Sequence, residues 1–314
     1  MSEIVINAQN LSKNFYNFDS RLPFIKRFLK RNQITIRAVQ DISFTIKRGS
    51  IVGFIGSNGA GKSTTIKMLT GTLYPSSGKL EVNGEIPFKR SINFRKKISI
   101  VVGNKLQLFQ DVSAMDYFQL IGTLYEVEPA ILQERIQELS NLLNVKDQLY
   151  QQVRTLSLGQ KMKMEFIAAS LTSPEILFLD EPTIGLDIQS KKDIRTFLKK
   201  MNEECHTTII LTSHDMDDIS SVCDELIVID KGKIILQESM DVILSKFSDF
   251  KYLKIKMTLD LVPELCSVKG VVVISQTKSE CILKIPRDFV FETLESINKL
   301  VAVSYTHLRA HETG

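Results

Sequence analysis

The chain has 314 residues, with 43% hydrophobic and 24% charged side chains and a formal net charge of +4 at pH 7. This composition is typical of a globular protein of about two domains and excludes a disordered or fibrous chain. Much of the small positive charge lies between residues 21 and 37, so it does not form a general nucleic-acid-binding face and we expect no nucleic-acid partner.

Cysteine spacing and hydropathy exclude two further classes. The four cysteines have no CxxC spacing and no arrangement with histidines that would suggest a metal cluster, which indicates reduced thiols. No apolar run approaches the ~18 residues that span a bilayer. We therefore expect any membrane contact to be indirect, through another polypeptide.

Residues 3–46 carry strand-like alternation at both ends, which predicts an antiparallel sheet with one wet face. The alternating apolar positions are Ile4, Ile6 and Ala8, then Ile42, Phe44 and Ile46. Between them, residues 21–31 (RLPFIKRFLKR) predict a basic amphipathic helix. Such a helix usually covers its parent domain, and the alternative is docking on an anionic membrane surface or a partner.

Residues 56–64 (GSNGAGKST) fit the pattern GxxxxGK(S/T). They lie between a predicted strand at 50–55 and a predicted helix at 62–69, closed by Gly71, which is the context that the motif requires. In this arrangement backbone N–H groups cradle a polyphosphate, Lys62 holds the β- and γ-phosphates, and Ser63 offers its hydroxyl to Mg²⁺. A turn that merely joins strand and helix is the alternative. The predicted ATP-binding residues are Gly56, Ser57, Asn58, Gly59, Ala60, Gly61, Lys62, Ser63 and Thr64.

The middle of the chain changes from strand signals to helical ones. Residues 78–84 predict a strand, whereas residues 111–149 predict helices with two apolar stripes. The stripes are Phe118, Ile121 and Leu124 or Tyr125, and Ile136, Leu139 and Leu143. We therefore predict a helical insert in an otherwise α/β chain.

From residue 175 the pattern is strand, helix, strand, with strands at 176–179 and 208–211 and a helix at 190–204. Parallel strands would bring Asp180, Glu181 and His214 to the sheet edge from which the glycine-rich turn also leaves. There Asp180 would join Ser63 as a ligand of Mg²⁺, and Glu181 would orient or deprotonate a water. His214 would bond the γ-phosphate or that water. Taken singly, each could be an ordinary strand-end residue. Residues 225–230 and 233–237 close the block as a hairpin.

The pentapeptide at 156–160 (LSLGQ) resembles the LSGGQ signature of ATP-binding cassette (ABC) ATPases, with Leu158 in place of the first glycine. In this family two cassettes pair head to tail, and each ATP lies between the P-loop of one and the signature of the other. The resemblance thus implies a homodimer or a heterodimer with a related cassette. It also implies that the partner's ATP contacts Ser157, Leu158, Gly159 and Gln160.

Other family motifs occur in the expected order over residues 3–238. Phe15 resembles the A-loop aromatic that stacks on adenine, residues 176–181 resemble Walker B, Asp187 lies in a D-loop-like stretch, and His214 resembles the switch histidine. The family glutamine before the helical insert is missing. Aligned on the preceding glycine its position is Asn104, and Gln107 is the other candidate.

The chain resembles cassettes that are encoded separately from ABC-2 type permeases of bacteria. The resemblance rests on the basic segment, on LSLGQ at 156–160 and on EPTIGLD at 181–187. The resemblance implies an ATPase that uses ATP and Mg²⁺, sits peripherally on the cytoplasmic face of the bacterial inner membrane and drives a permease, as an exporter. Two alternatives stay open: a soluble cassette ATPase acting on ribosomes or nucleic acid, and a non-hydrolysing nucleotide sensor.

The predicted fold is an α/β P-loop NTPase cassette with a mostly parallel core sheet, an N-terminal antiparallel sheet and a small α+β C-terminal appendage. We place the cassette at 1–238 with a helical subdomain at about 105–172, a linker at 239–249 and the appendage at 250–302. The appendage has strand signals at 252–257 and 281–285 and helical ones at 289–300. Residues 303–314 resemble translated sequencing adapter, so we expect them to be non-native and exclude them.

Overall fold

The computed structural model describes residues 3–18, 33–103, 105–248, 250–256, 271–276, 280–286, 289, 293 and 311–312. The chain forms two compact units, Met1–Met240 and Asp241–Gly314. The basic segment 21–31 and Asn104 lie outside the described residues, as does most of the helix predicted at 289–300.

The first unit begins with strands and ends with a hairpin. Its strands are β1 (Ile4–Phe18), β2 (Gln33–Lys47), β3 (Ile51–Ile55), β4 (Ser77–Val82), β5 (Ile98–Val102), β6 (Ile176–Asp180), β7 (Thr208–Ser213), β8 (Glu225–Asp230) and β9 (Lys233–Ser239). Its helices are α1 (Lys62–Leu69), α2 (Ile92–Lys97), α3 (Ala114–Leu124), α4 (Pro129–Leu142), α5 (Leu158–Ser170), α6 (Ile188–Cys205) and α7 (Met216–Ser220).

The N-terminal antiparallel sheet is confirmed, with strand order β2-β1-β4. Ile6 pairs with Ile46 and Ala8 with Phe44, and all four side chains are buried. The prediction for Ile4 is wrong: its side chain is 55% exposed. The pairing register shifts between Ile4 and Ile6, which turns Val5 into the core instead.

The core sheet has the order β5-β6-β7-β3-β8-β9. Its first five strands are parallel, and β9 is the antiparallel edge strand of the predicted hairpin. Strand β5 was not among the predicted elements. It lies at the sheet edge, and its apolar run (ISIVV) is only five residues long, which by pattern alone does not separate a strand from a buried helical segment. This order places the ends of β6, β7 and β3 side by side.

Helical packing follows the predicted stripes with one correction. The residues Ile194, Phe197, Leu198 and Met201 on α6 are buried as predicted, as are Ile136, Leu139 and Leu143. On α3, however, Leu124 is 68% exposed, and the buried face turns to Phe118 and Gly122. A Cβ on Gly122 would lie 2.2 Å from Leu132 Cδ2. Helices α3 and α4 therefore pack closely at Gly122, a residue that a hydropathy pattern does not mark.

The second unit contains α8 (Met240–Ser248), which begins at the division between the two units, and a four-stranded sheet. Strands β10 (Phe250–Lys256) and β12 (Glu280–Pro286) match the two predicted ones, whereas β11 (Val272–Gln276) was not predicted. The order is β11-β12-β10-β13, in which β13 is His311–Glu312. Among the described residues, no helix combines the length and the apolar character needed to cross a bilayer.

Candidate functional site

The turn between β3 and α1 requires glycine at three positions. Gly59 and Gly61 have φ angles of 82° and 114°, in the left-handed region that side chains disfavour. A Cβ on Gly56 would lie 2.2 Å from the carbonyl oxygen of Ile229. The turn borders a cavity of ≈ 200 Å³. The cavity is lined by Ala38, Asn58, Gly59, Gly61, Lys62, Ser63, Thr64, Asp180 and Glu181.

Lys62 places a positive charge beside this cavity. Its side chain is 4% exposed, and its ammonium donates to the carbonyl oxygens of Gly56 at 2.7 Å and Ser57 at 3.2 Å. The same nitrogen is 3.6 Å from Glu181 Oε1. A buried ammonium held only by carbonyls and one carboxylate is well placed to exchange these partners for phosphate oxygens.

The Asp180 carboxylate accepts hydrogen bonds from two hydroxyl groups. Its Oδ1 accepts a hydrogen bond from Ser63 Oγ at 2.9 Å and another from Thr212 Oγ1 at 2.7 Å. One hydroxyl comes from α1 and the other from β7, whose Thr212 pairs with Asp180 across the sheet. Carboxylate and hydroxyl oxygens are the ligand type that Mg²⁺ prefers, so Ser63 and Asp180 together fit such an ion.

Thr212 is a site residue that the sequence reasoning missed. Besides donating to Asp180, its hydroxyl accepts the backbone N–H of Glu181 at 3.0 Å. It therefore orients both carboxylate-bearing residues at once. A threonine at the end of an apolar strand looks like an ordinary packing residue, and only the pairing of β6 with β7 reveals its partners.

Glu181 has a left-handed backbone, with φ of 50°. Its Oε1 lies 3.7 Å from His214 Nδ1, so the structure brings together the two predicted catalytic side chains. Gly103 packs directly against this bend: a Cβ there would lie 1.9 Å from the carbonyl oxygen of Glu181. The neighbouring backbone thus leaves no room for a side chain at Gly103.

The loop after His214 is anchored by a buried acid. Asp218 is 1% exposed, accepts the hydroxyl of Thr183 at 2.6 Å, and forms an ion pair with Arg195. Lys191 reaches Asp218 at 3.5 Å and Asp215 at 2.8 Å. These bonds tie the His214 loop to the segment that follows Glu181, which restricts how far the two can separate.

The signature loop, residues 157–160, forms the N-terminal cap of α5. Ser157 Oγ accepts the N–H of Gln160 at 3.2 Å, and Gln160 Oε1 accepts the N–H of Ser157 at 2.9 Å. This capping box explains locally why a helix begins here. Leu158, which replaces the family glycine, is 46% exposed.

The signature loop lies against the start of α6. A Cβ on Gly159 would lie 2.2 Å from Ser190 Oγ. Asp187 caps α6 by accepting the N–H of Ser190 at 2.9 Å and its hydroxyl at 2.7 Å. These hydrogen bonds hold the pKa of Asp187 below its ordinary value. Two helix N-termini thus adjoin at this surface, and both favour negative charge.

Phe15 lies on β1 and is not itself among the residues that line the cavity. It pairs with Ile36 on β2, two residues before Ala38, which lines the cavity, and the strand register shifts at Ala38. The ring is 39% exposed, and Lys13 Nζ lies 5.3 Å from its centroid. This placement is compatible with an aromatic that stacks on a nucleotide base.

Gln107, the alternative for the missing family glutamine, has its side chain engaged elsewhere. Its Nε2 donates to the carbonyl oxygen of Ile100 at 2.9 Å, on β5. Its backbone N–H donates to Glu165 on α5. Gln107 is also not among the residues that line the cavity. Asn104 lies outside the described residues.

The chain is similar in sequence to ATP-binding proteins of ABC transporters. Residues 39–184 match the family model described as "ABC transporter". The ABC transporter ATP-binding protein NatA of Bacillus subtilis (strain 168) is 32% identical over 216 residues, which cover 69% of this chain and 87% of that protein. The linearmycin resistance ATP-binding protein LnrL of the same organism is 34% identical over 197 residues, 63% of each chain.

Solved structures agree with these sequence relatives. CbiO1 from Clostridium perfringens, part of the ABC transporter complex cbiONQ, is 26% identical with a TM-score of 0.64, covering 78% of this chain and 92% of that one. A dimeric post-hydrolysis state of the ATP-binding cassette MJ0796, bound to ADP and Pi, shares the fold at 20% identity and a TM-score of 0.62, covering 75% and 98%. The chain belongs to the ATP-binding proteins of the ABC transporter family.

Proposed function

We propose that this chain is the ATP-hydrolysing subunit of a transporter, which pairs with a second cassette around ATP and Mg²⁺ and drives a separately encoded membrane permease. The observation that carries the proposal is the convergence on one cavity of Lys62, the Ser63–Asp180–Thr212 cluster and Glu181. These groups would supply phosphate binding, metal binding and a base around one cavity, with Lys62 Nζ 3.6 Å from Glu181 Oε1.

The triphosphate occupies the turn at 56–64. The backbone N–H groups of the turn and the start of α1 face the phosphates, and Lys62 exchanges its carbonyl partners for phosphate oxygens. Phe15 stacks on the base. Ser63 and Asp180 would hold Mg²⁺, which would supply positive charge to neutralise the phosphates.

Glu181 acts as the general base toward the attacking water. Two observations support this role: Glu181 follows Asp180 and lines the cavity, and His214 Nδ1 lies 3.7 Å from its Oε1. Lys62 and Thr212 hold the geometry of this carboxylate and its backbone. Loss of the γ-phosphate removes the anion that Lys62 and His214 share, which releases the closed state.

The second cassette completes the site. Ser157 and Leu158 of the signature loop are exposed, and the loop contributes no residue to the cavity lining given above. The N-terminus of α5 is capped only by the neutral side chains of Ser157 and Gln160, so it is suited to the γ-phosphate bound by another subunit. Ser157 and Gln160 can release each other and turn to that phosphate.

The membrane partner is an ABC-2 type permease, and the transport direction is export. This part of the proposal rests on the resemblance of LSLGQ and EPTIGLD to such cassettes, and on the relatives NatA and the linearmycin resistance protein LnrL. The chain then sits peripherally on the cytoplasmic face of the bacterial inner membrane, held by the permease.

Glu181→Gln should abolish hydrolysis and retain ATP binding, because the amide keeps the shape of the side chain but cannot take a proton. We expect kcat to fall by about a hundredfold or more, with an ATP-dependent dimer visible by size-exclusion chromatography with light scattering. Glu134→Gln removes an equal charge from an exposed position on α4 and serves as the control. Unchanged phosphate release in the Glu181 variant would exclude it as the base.

Thr212→Val should lower kcat by about tenfold, because the isosteric side chain loses the bonds to Asp180 and to the Glu181 N–H. The matched control is Thr208→Val, at the other end of β7, whose hydroxyl accepts only the Gly49 N–H in the structure. Steady-state ATPase assays on both, with thermal melting, separate catalysis from stability. Equal kcat values for the two variants would contradict the role of Thr212.

Asn104→Ala should uncouple ATPase activity from stimulation by the permease, whereas Gln107→Ala should slow turnover only modestly. The reason is that the Gln107 side chain is already bound to β5, so it is not available to the metal. ATPase rates with and without the permease in liposomes provide the measurement. The opposite ranking of the two variants would move the role to Gln107.

Co-purification tests the transporter assignment. When the chain is expressed at native levels with an affinity tag and membranes are solubilised in mild detergent, a polytopic membrane protein should be recovered with it in near-equal amount. Recovery of ribosomes or nucleic acid instead would support the soluble alternative. A folded sample that binds ATP and never releases phosphate would support the sensor alternative.

A further inference from the structure

Glu165 is a buried acid on the signature helix α5 that the proposed chemistry does not use. It is 5% exposed. Its Oε1 accepts the backbone N–H of Leu108 at 2.8 Å and also the backbone N–H of Gln107. Burial raises the pKa of this carboxyl, and the two N–H bonds oppose the shift. A buried acid at a position where an apolar side chain would pack calls for a specific role.

The residues that Glu165 binds, 107 and 108, follow Gly103, which contacts the backbone of Asp180 and Glu181. Gly103 donates its N–H to the carbonyl oxygen of Asp180 at 2.9 Å and packs against the backbone of Glu181. Lys105 donates to the carbonyl oxygen of Val102 at 3.1 Å. Gln107 then donates its side chain to β5. Both sides of position 104 are therefore fixed by backbone hydrogen bonds.

The other end of this connection is the signature loop. Glu165 and Ser157 belong to the same capped helix, about two turns apart. A helix of this length moves as a rigid rod on the scale of small displacements. Lys163, on a different side of the helix, forms a buried ion pair with Asp193 of α6 at 2.5 Å, so α5 and α6 are held together as well.

We propose that Glu165 is a positioning residue that couples the hydrolysis site to the signature helix by fixing residues 107 and 108 to α5. A shift of the backbone at Glu181, transmitted through Gly103, then moves Ser157 and Gln160 on the surface that meets the second cassette. The coupling thus links the ATP bound by one chain to the ATP that the same chain's signature loop contacts on its partner. The inference rests on the proposed pairing of two cassettes.

The contacts of Glu165 predict different effects on nucleotide affinity and on the pairing of two cassettes. Glu165 is not among the residues that line the cavity, and the hydrogen bonds described above join it to Gln107 and Leu108, which do not line it either, so nucleotide binding to a single cassette should not depend on it. Pairing requires the signature loop to move when nucleotide occupies the cavity of the same chain. Pairing should therefore depend on Glu165. If Glu165 only stabilised the fold, its loss would change nucleotide affinity and pairing together, or would change neither in the protein that still folds.

The experiment uses the full chain in the Glu181→Gln background. ADP affinity is measured by fluorescence titration and the ATP-dependent dimer constant by analytical ultracentrifugation. The parent is compared with the added change Glu165→Ala, with Glu165→Gln, and with the exposed control Glu134→Gln. We expect Glu165→Ala to weaken pairing by about tenfold while ADP affinity stays within about twofold. Glu165→Gln should recover most of the pairing, because its carbonyl oxygen still accepts an N–H.

Two outcomes overturn the inference alone: the alanine variant pairs as tightly as the parent, or it loses ADP affinity and pairing to the same degree. A parent that never pairs in the presence of ATP overturns the proposed function and this inference with it. If the alanine variant does not fold, amide hydrogen exchange on the parent decides. ATP should change the protection of residues 107–108 and of residues 160–163 together, and a change in only one of these segments overturns the coupling.

Discussion

The carboxylate of Asp180 is the contact on which the rest of the site depends. It accepts hydroxyl groups from Ser63 and Thr212, which belong to two different elements, α1 and β7. This meeting is possible only because β6, β7 and β3 are parallel neighbours that end at one edge of the sheet. The sheet order thereby converts three separate stretches of sequence into one ligand set.

Glycines complete the arrangement where backbones must approach each other. Gly56 lies against Ile229, Gly103 against Glu181, and Gly159 against Ser190. In each case a Cβ would lie within 2.2 Å of an oxygen atom of that neighbour. The turn at 56–64, the backbone bend at Glu181 and the signature loop are therefore held by close packing as well as by hydrogen bonds.

The two ends of the cassette satisfy their polar groups differently. At the cavity, Lys62 and Asp180 bond to groups that a nucleotide and its metal can replace. At the signature loop, Ser157 and Gln160 bond to each other and cap α5. Each half is thus stable without its ligand, and both halves have partners that can be exchanged when a second cassette brings the ATP into place. Glu165 connects the halves within one chain.

Much of this could be predicted from the sequence. The glycine-rich turn, the LSLGQ cap and the acids after an apolar strand are local patterns, and the capping box and left-handed glycines follow from nearest neighbours. Other features depended on packing between distant segments. Thr212, Gly103 and Glu165 look like ordinary strand, loop and helix residues, and strand β5 is an apolar run too short to be assigned by pattern alone. Their roles became visible only through strand pairing and helix contacts, because a hydrogen bond between residues far apart in the chain leaves no periodic signal in the sequence.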